Sequence, residues 1–240
     1  MFTILFYQPI LNLLVFLYDI IPGHDLGVAI ILLTIIVKLA LWPLSRKSIK
    51  SQKALQDLQP KIEEIKKKYA NNKEEMGRAM MQLYKENKVN PFSSCLPLLI
   101  QLPFFIAIFR VFKDGFTNGS LDLVYPFISR PEFINSVSLG MFDLSQPNKF
   151  LAILAGAAQF IQTHMMSRQQ PEIKTEGSKD ENMMAIMNKQ MMYMMPVLTI
   201  IIGFTLPGGL ALYWLTTTIL TIIQQFYIFK KQNQKEKVTA

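Results

Sequence analysis

Residues 26–44 read LGVAIILLTIIVKLALWPL, nineteen positions that carry a single charge, Lys38. A helix rising 1.5 Å per residue crosses the roughly 30 Å of a bilayer's hydrocarbon core in about this length. A cation placed near the middle of such a span costs at least ~2.5–3.5 kcal/mol on insertion scales. Lys38 therefore needs a partner, water or a cavity. Snorkelling toward Leu44 would require a reach of about 9 Å along the axis, long for a lysine. The stretch thus predicts a membrane-spanning helix with a functional polar point at its centre.

Four further blocks repeat the pattern. They run from Cys95 to Phe112, Phe150 to Met166, Gln190 to Leu206 and Leu210 to Ile228. None shows the alternation with a period of two that a transmembrane barrel requires. The predicted fold is all-α and polytopic, with five transmembrane helices around a hydrophilic groove open to the cytoplasm. The spans are 26–45, 94–112, 150–166, 190–206 and, with its preceding outer turn, 207–229.

The basic residues fix an orientation. Residues 46–92 hold 12 Lys/Arg, residues 167–190 hold 4 and residues 230–240 hold 4, whereas residues 113–149 hold 3 and residues 1–25 none. With alternating spans, twenty fall on one face and three on the other. The positive-inside rule makes the rich face cytoplasmic, which leaves the N-terminus outside and the C-terminus inside. Topology and contact with anionic lipid or RNA account for the net charge of +8. DNA binding is not expected.

Outside the five spans, residues 1–25 predict an extracytoplasmic interfacial helix, with a sixth span as the alternative, because Gln8, Pro9, Asn12 and Asp19 interrupt an otherwise apolar segment that stops at Pro22-Gly23. Residues 46–92 predict a cytoplasmic helical hairpin. Ala54, Leu58, Ile62, Ile65 and Tyr69 keep to one stripe, Pro60 should kink that helix, Asn71-Asn72 turns the chain, and Met76, Met80 and Leu83 line the return helix. Residues 113–149 read as an extracytoplasmic loop, 167–189 as a cytoplasmic loop and 230–240 as a basic cytoplasmic tail. No cleavable secretory signal is expected.

Lys38 has polar company on other spans. Gln101, Gln159, Gln162, Thr216, Thr217, Thr218, Thr221, Gln224 and Gln225 are each accounted for singly as interhelical glue, but together with Lys38 they suggest a wet groove. Prolines 97, 103 and 196 would bend their spans. Nine of 14 methionines fall between Met165 and Met195, either as ordinary packing or as an adaptable surface for apolar partners. Enzyme chemistry finds little support. His24 and His164 are the only histidines, Cys95 is the only cysteine, and no metal-ligand cluster, nucleophile elbow or phosphate loop appears. No cofactor, metal or catalytic residue is expected.

The chain resembles the YidC/Oxa/Alb family of membrane protein insertases over nearly its whole length. The resemblance is carried by Gly27 to Ile31, Val37-Lys38 and Pro43-Leu44, then Leu58-Gln59-Pro60-Lys61-Ile62, Asn90-Pro91 and Cys95 through Pro103. Met195-Pro196, Pro207-Gly208-Gly209-Leu210 and Ile222-Ile223-Gln224-Gln225 complete it in the same order. It implies an insertase of the short bacterial type, without a large periplasmic domain, in the bacterial plasma membrane. A positive charge in the groove would draw the acidic flanks of clients inward. Lys38 stands where bacterial members carry arginine, and lysine, unlike arginine, can lose its proton when desolvated. Tyr213 and Trp214 match an aromatic pair position and are expected to meet clients. The implied partners are nascent membrane proteins and lipids, with the Sec translocon, signal recognition machinery and the ribosome as further candidates.

Two alternatives use the same residues. An assembly chaperone would hold clients only beside the translocon. A small-solute transporter would use the polar groups as a path, although the paired broken helices and repeats common in transporters are not visible.

Overall fold

The computed structural model describes residues 1–90, 96–114, 121–131, 133–167 and 193–239, without the side chains of residues 97, 98, 166, 167 and 231–239. The loop 167–189 beyond Ser167, most of the methionine-rich segment, Cys95 and Pro91 lie outside the described residues.

The chain opens with α1, Thr3–Ile20, whose first turn, Thr3–Tyr7, is wound as a π-helix. Next come α2 (Leu26–Ala40), α3 (Trp42–Asp57), α4 (Gln59–Lys68), α5 (Lys73–Glu86) and α6 (Leu96–Lys113). A small hairpin follows, β1 (Val137–Ser138) paired antiparallel with β2 (Phe142–Asp143). The remaining helices are α7 (Lys149–Ser167), α8 (Tyr193–Gly203) and α9 (Gly208–Thr239). The fold is that of an all-α membrane protein, and the two-residue strands merely tie down part of the 113–149 loop.

One end of the bundle is held by that loop. Asp25 caps α2 by accepting from Val28 N at 3.0 Å. Asn148 caps α7 by accepting from Leu151 N at 3.0 Å. The start of α9 is fixed by Gly208 N donating to Gln146 O (2.8 Å) and Gly209 N to Leu144 O (2.9 Å). Phe112, at the end of α6, packs so closely on Gly209 that a Cβ there would lie 2.1 Å from its ring. Residues 147 and 207 pair across the loop, which brings the exit of α8 to the same place. Thus α2, α7 and α9 begin at this end, and α6 and α8 finish there.

Helix α1 packs on α6 through Phe6 and the preceding Phe2, and is hydrogen-bonded to the same loop from Tyr7 to Tyr18. Tyr7 Oη donates to Asp114 Oδ2 at 2.9 Å, and Gln8 and Asn12 both donate to Leu123 O, at 3.1 and 3.0 Å. Tyr125 N donates to Asn12 Oδ1 at 2.6 Å, and Asn135 N donates to Tyr18 Oη at 2.9 Å. Its inner face, Ile10, Leu11, Leu14, Val15 and Leu17, joins the core built from α2, α6 and α9, while Ile4, Leu5, Phe16 and Ile20 are exposed.

Large apolar side chains are exposed on all the helices of the bundle: Ile31, Leu32 and Ile36 on α2, Leu99 and Leu102 on α6, Ile153 and Ile161 on α7, Ile201 on α8, Ile219 and Ile223 on α9. Such a belt is stable only against lipid. Helices α7 and α8 approach closely because Gly156 faces Ile200 and Gly203 faces Ala152, the small-residue contact common between membrane helices.

Two boundaries differ from the sequence reading. The first apolar block is not one helix to residue 45. It breaks at Leu41 with a 70° bend, and Trp42-Pro43 opens α3, proline being suited to a first turn because it has no N–H to leave unpaired. The 46–92 insert is accordingly three helices. Pro60 does not kink a continuous helix; the chain breaks at Leu58 and Pro60 lies in the first turn of α4. The hairpin itself is α4 against α5, with Leu58, Ile62 and Leu83 at its core and Asn72 capping α5. Helix α3 packs instead on α9 and α6, burying Ser48, Ile49, Lys53 and Leu55.

Candidate functional site

The polar residues of the spans gather along one helix. On α9, Tyr213, Thr217, Thr221 and Gln224 follow a 4-4-3 spacing, which places them on one face. Along this face Tyr213 meets α6 and Thr221 meets α2, while α9 also packs on α7 and α3.

Lys38 reaches the stripe directly. It is half-buried on α2, and its Nζ donates to Thr221 Oγ1 at 2.9 Å. The hydroxyl is already oriented, because it donates its own proton to Thr217 O at 2.7 Å. Its lone pairs therefore point at the ammonium. Among the described residues no carboxylate pairs with Lys38. A protonated Lys38 on one neutral hydroxyl has two donors left for water or for an arriving anion.

Nearer the loop-held end, Gln101 Nε2 on α6 donates to Tyr213 Oη. Trp214 lies beside this pair. Its Nε1 donates weakly to Gln159 Oε1 on α7 at 3.4 Å, and its ring takes Phe105 edge-on with centroids 5.5 Å apart. Gln162 is half-buried further along α7, and no hydrogen bond joins it to the others among the described residues. Of the residues singled out from sequence, Lys38, Gln101, Tyr213, Thr217 and Gln224 share the α9 face. Gln159 and Trp214 form the adjoining contact, and Gln162 stands apart.

Below Lys38 the stripe is buried and incompletely paired. Gln224 Nε2 and Gln225 Oε1 lack a hydrogen-bond partner among the described residues. Buried amides are rarely left so, and ordered water or a polar ligand group would satisfy them. Close by, the Lys53 Nζ of α3 pairs with Asp57 Oδ1 at 3.1 Å and lies 5.9 Å from the centroid of the Phe229 ring.

Thr221 and Gln225 were among the polar residues read from sequence as groove-lining, and Lys53 is the addition that structure makes to the site. Thr221 was legible as the next member of an i, i+4 series after Tyr213 and Thr217. A search for a carboxylate partner to Lys38 passes over it. Lys53 reads as one more surface charge until α3 is seen to dock.

The chain is similar to known proteins over most of its length. Residues 16–236 match the family described as 60Kd inner membrane protein. A membrane protein insertase YidC of Fusobacterium nucleatum is 37% identical over 207 residues, covering 86% of this chain and 87% of that protein. One from Oceanobacillus iheyensis is 35% identical, covering 88% of this chain and 77% of the relative. One from Magnetococcus marinus is 35% identical over 95% of this chain but only 36% of its own length, so the chain spans about a third of that longer relative.

Proposed function

The chain belongs to the 60Kd inner membrane protein family, and from that premise we propose that it is a membrane protein insertase working without covalent chemistry. A client's hydrophobic segment enters along the polar face of α9, and the segment's short polar flank is drawn toward Lys38. The polar seam shortens the low-dielectric path that the flank must cross. The apolar segment then leaves between the helices into lipid, driven by burial of its surface.

The observation that carries this reading is the Lys38 ammonium seated on a neutral hydroxyl, among polar side chains, inside an apolar helical bundle. A structural ion pair would have had a carboxylate. Here the charge is left to act on something that arrives. Trp214 and Tyr213 offer flat surfaces beside it for an apolar segment.

The basic insert of α3, α4 and α5 is the first surface to meet clients on the cytoplasmic side, and the candidate place for contacts with the Sec translocon, targeting machinery or ribosome. The setting is a bacterial plasma membrane, with the N-terminus outside and the C-terminus inside. The distribution of basic residues supports that orientation, as does the convergence of alternate helix ends on the residue 121–147 loop. Helix α1, although long enough to cross, is read as lying at the outer surface, because its contacts from Tyr7 to Tyr18 stay with that loop.

Liposomes containing only the purified protein test the proposal. A small single-span client with a short acidic outer flank should become protease-protected above the level of empty liposomes. Protection should fall with Lys38→Ala and persist with Lys38→Arg. Protection no better than empty liposomes by folded protein would replace the insertase with an assembly factor that needs the translocon.

A further inference from the structure

The residue 121–147 loop displays large apolar side chains while being firmly held. Leu139 is 68% exposed and Met141 75%, at the tip of the β1–β2 hairpin; Phe133 is 75% exposed and Phe127 83%. These positions are ordered by hydrogen bonds. Met141 N donates to Ser138 O at 3.1 Å, Leu144 N to Ser136 O at 2.9 Å and Ile128 N to Tyr125 O at 3.0 Å. The backbone around Leu139 and Met141 and beside Phe127 is thus held in place while these side chains stay exposed.

The tip carries a second cost. Its two central residues, Leu139 (φ 52°) and Gly140 (φ 67°), both have positive φ, as in a type I′ turn. Asparagine, aspartate or glycine takes the first of these positions readily, whereas leucine is strained there. A leucine that is both strained and exposed is unfavourable twice over in water. Both costs make sense if the tip must present an apolar side chain to an apolar surface.

The location says which surface. The hairpin is bolted to the start of α2. Ser138 Oγ donates to Asp25 Oδ1 at 2.6 Å and Leu139 N to Asp25 Oδ2 at 2.6 Å, while Asp25 also caps the helix. Partial burial works to raise the Asp25 pKa, but these hydrogen bonds outweigh it and hold the carboxylate below its ordinary value, so the bolt stays charged at neutral pH. Ile31 and Leu32, the first exposed apolar residues of α2, begin six residues further on, about 9 Å along the axis. The hairpin is therefore attached about 9 Å along the axis from the point where the lipid-facing belt of α2 begins, within the depth of an interfacial layer. Exposed Phe16 and Ile20 of α1 and Phe150 of α7, stacked on Phe142 of the hairpin, continue the same apolar rim.

We propose that the β1–β2 hairpin tip, Leu139 to Met141, is a membrane-interface anchor that dips into the headgroup–acyl boundary of the leaflet at that end of the bundle. It seats the starts of α2, α7 and α9, all fixed by the same loop, at a set depth. In the topology proposed above the leaflet is the outer one. The anchor itself does not depend on which function the groove performs.

The test uses full-length protein in nanodiscs holding one copy each. Met141→Cys, in a Cys95→Ser background, is labelled with an environment-sensitive fluorophore, with Lys85→Cys on exposed α5 as the water-facing control. The expected result is blue-shifted emission at position 141, quenched more by a lipid nitroxide at the shallow acyl position than by a water-soluble nitroxide, with the order reversed at position 85. Adding Leu139→Asn, which suits the turn better, should leave stability in detergent unchanged or higher yet move the 141 probe toward water. Emission at 141 matching position 85 would overturn the proposal. So would shielding that appears only with two copies per disc, which would identify a second protein chain as the occupant. Loss of detergent stability in Leu139→Asn would overturn it too, by showing that the leucine serves internal packing.

Discussion

At the scale of single residues, the seat of Lys38 is the most consequential detail. The Thr221 hydroxyl is fixed by the Thr217 carbonyl and receives the ammonium. Thr221→Val keeps the shape and removes the acceptor. A hydrogen bond to a charged group contributes about 1.5–3 kcal/mol, and water in the seam will moderate its loss. The expected outcome is a lower melting temperature in detergent and weaker insertion of clients with acidic flanks, both restored by Thr221→Ser. Clients with neutral flanks should be affected less, because they gain less from a positioned cation. Full insertion by Thr221→Val would show that the ammonium needs no fixed seat.

At the scale of elements, the docking of α3 is what hydropathy could not reveal. Five apolar blocks and a polar insert were legible because burial in lipid demands length and composition, and both are written in the sequence. Direction is not. The apolar run continues through Trp42, Pro43 and Leu44, so the 70° turn at Leu41 leaves no trace in a hydropathy window. Likewise Pro60 reads equally well as a kink or as a first-turn residue, and only the break at Leu58 decides. Lys53 follows from the docking: it is 3% exposed, held by Asp57 and the Phe229 ring. Asp57→Ala leaves a buried cation without its carboxylate and should cost on the order of 1–3 kcal/mol. Lys53→Met removes the charge but keeps the bulk, and replacing a buried ion-pair member together with its need for a partner is often neutral. The double variant Lys53→Met with Asp57→Ala should therefore be more stable than Asp57→Ala alone. Chemical unfolding of the α3–α9 contact, followed by hydrogen exchange over residues 42–57, would read the order. Equal stability of Asp57→Ala and the unaltered chain would mean that the Phe229 ring and water suffice to hold the cation.

At the scale of the whole molecule, the two ends of the bundle differ in kind. One is built from a loop that binds α1 and the ends of five helices with short hydrogen bonds. The other carries the basic insert and the C-terminal part of α9. Between them lies a polar face on α9 whose residues were visible in the sequence and were read there as one groove with Lys38, though which side chains touch was not. The spacing within α9 was readable, but which neighbours met it depended on how α2, α6 and α7 pack. Orientation in the membrane then rests on twenty basic residues against three. Helix α1 sharpens the question, because Thr3–Ile20 satisfies the length and hydropathy needed to cross. If α1 crossed, Met1 and residue 146 would lie on opposite sides of the membrane; if it lies along the surface, they share a side. An impermeant maleimide applied to intact cells should label Gln146→Cys, in a Cys95→Ser background, and should reach Lys85→Cys only after permeabilisation. A protease-cleavable tag placed before Met1 should be cut from outside in the same cells. Labelling at 146 with a tag cut only from inside would turn α1 into a sixth span and remove the argument from its loop contacts. Labelling at 85 but not at 146 would invert the molecule. Lys38 would then open toward the outside, where no newly made client could reach it.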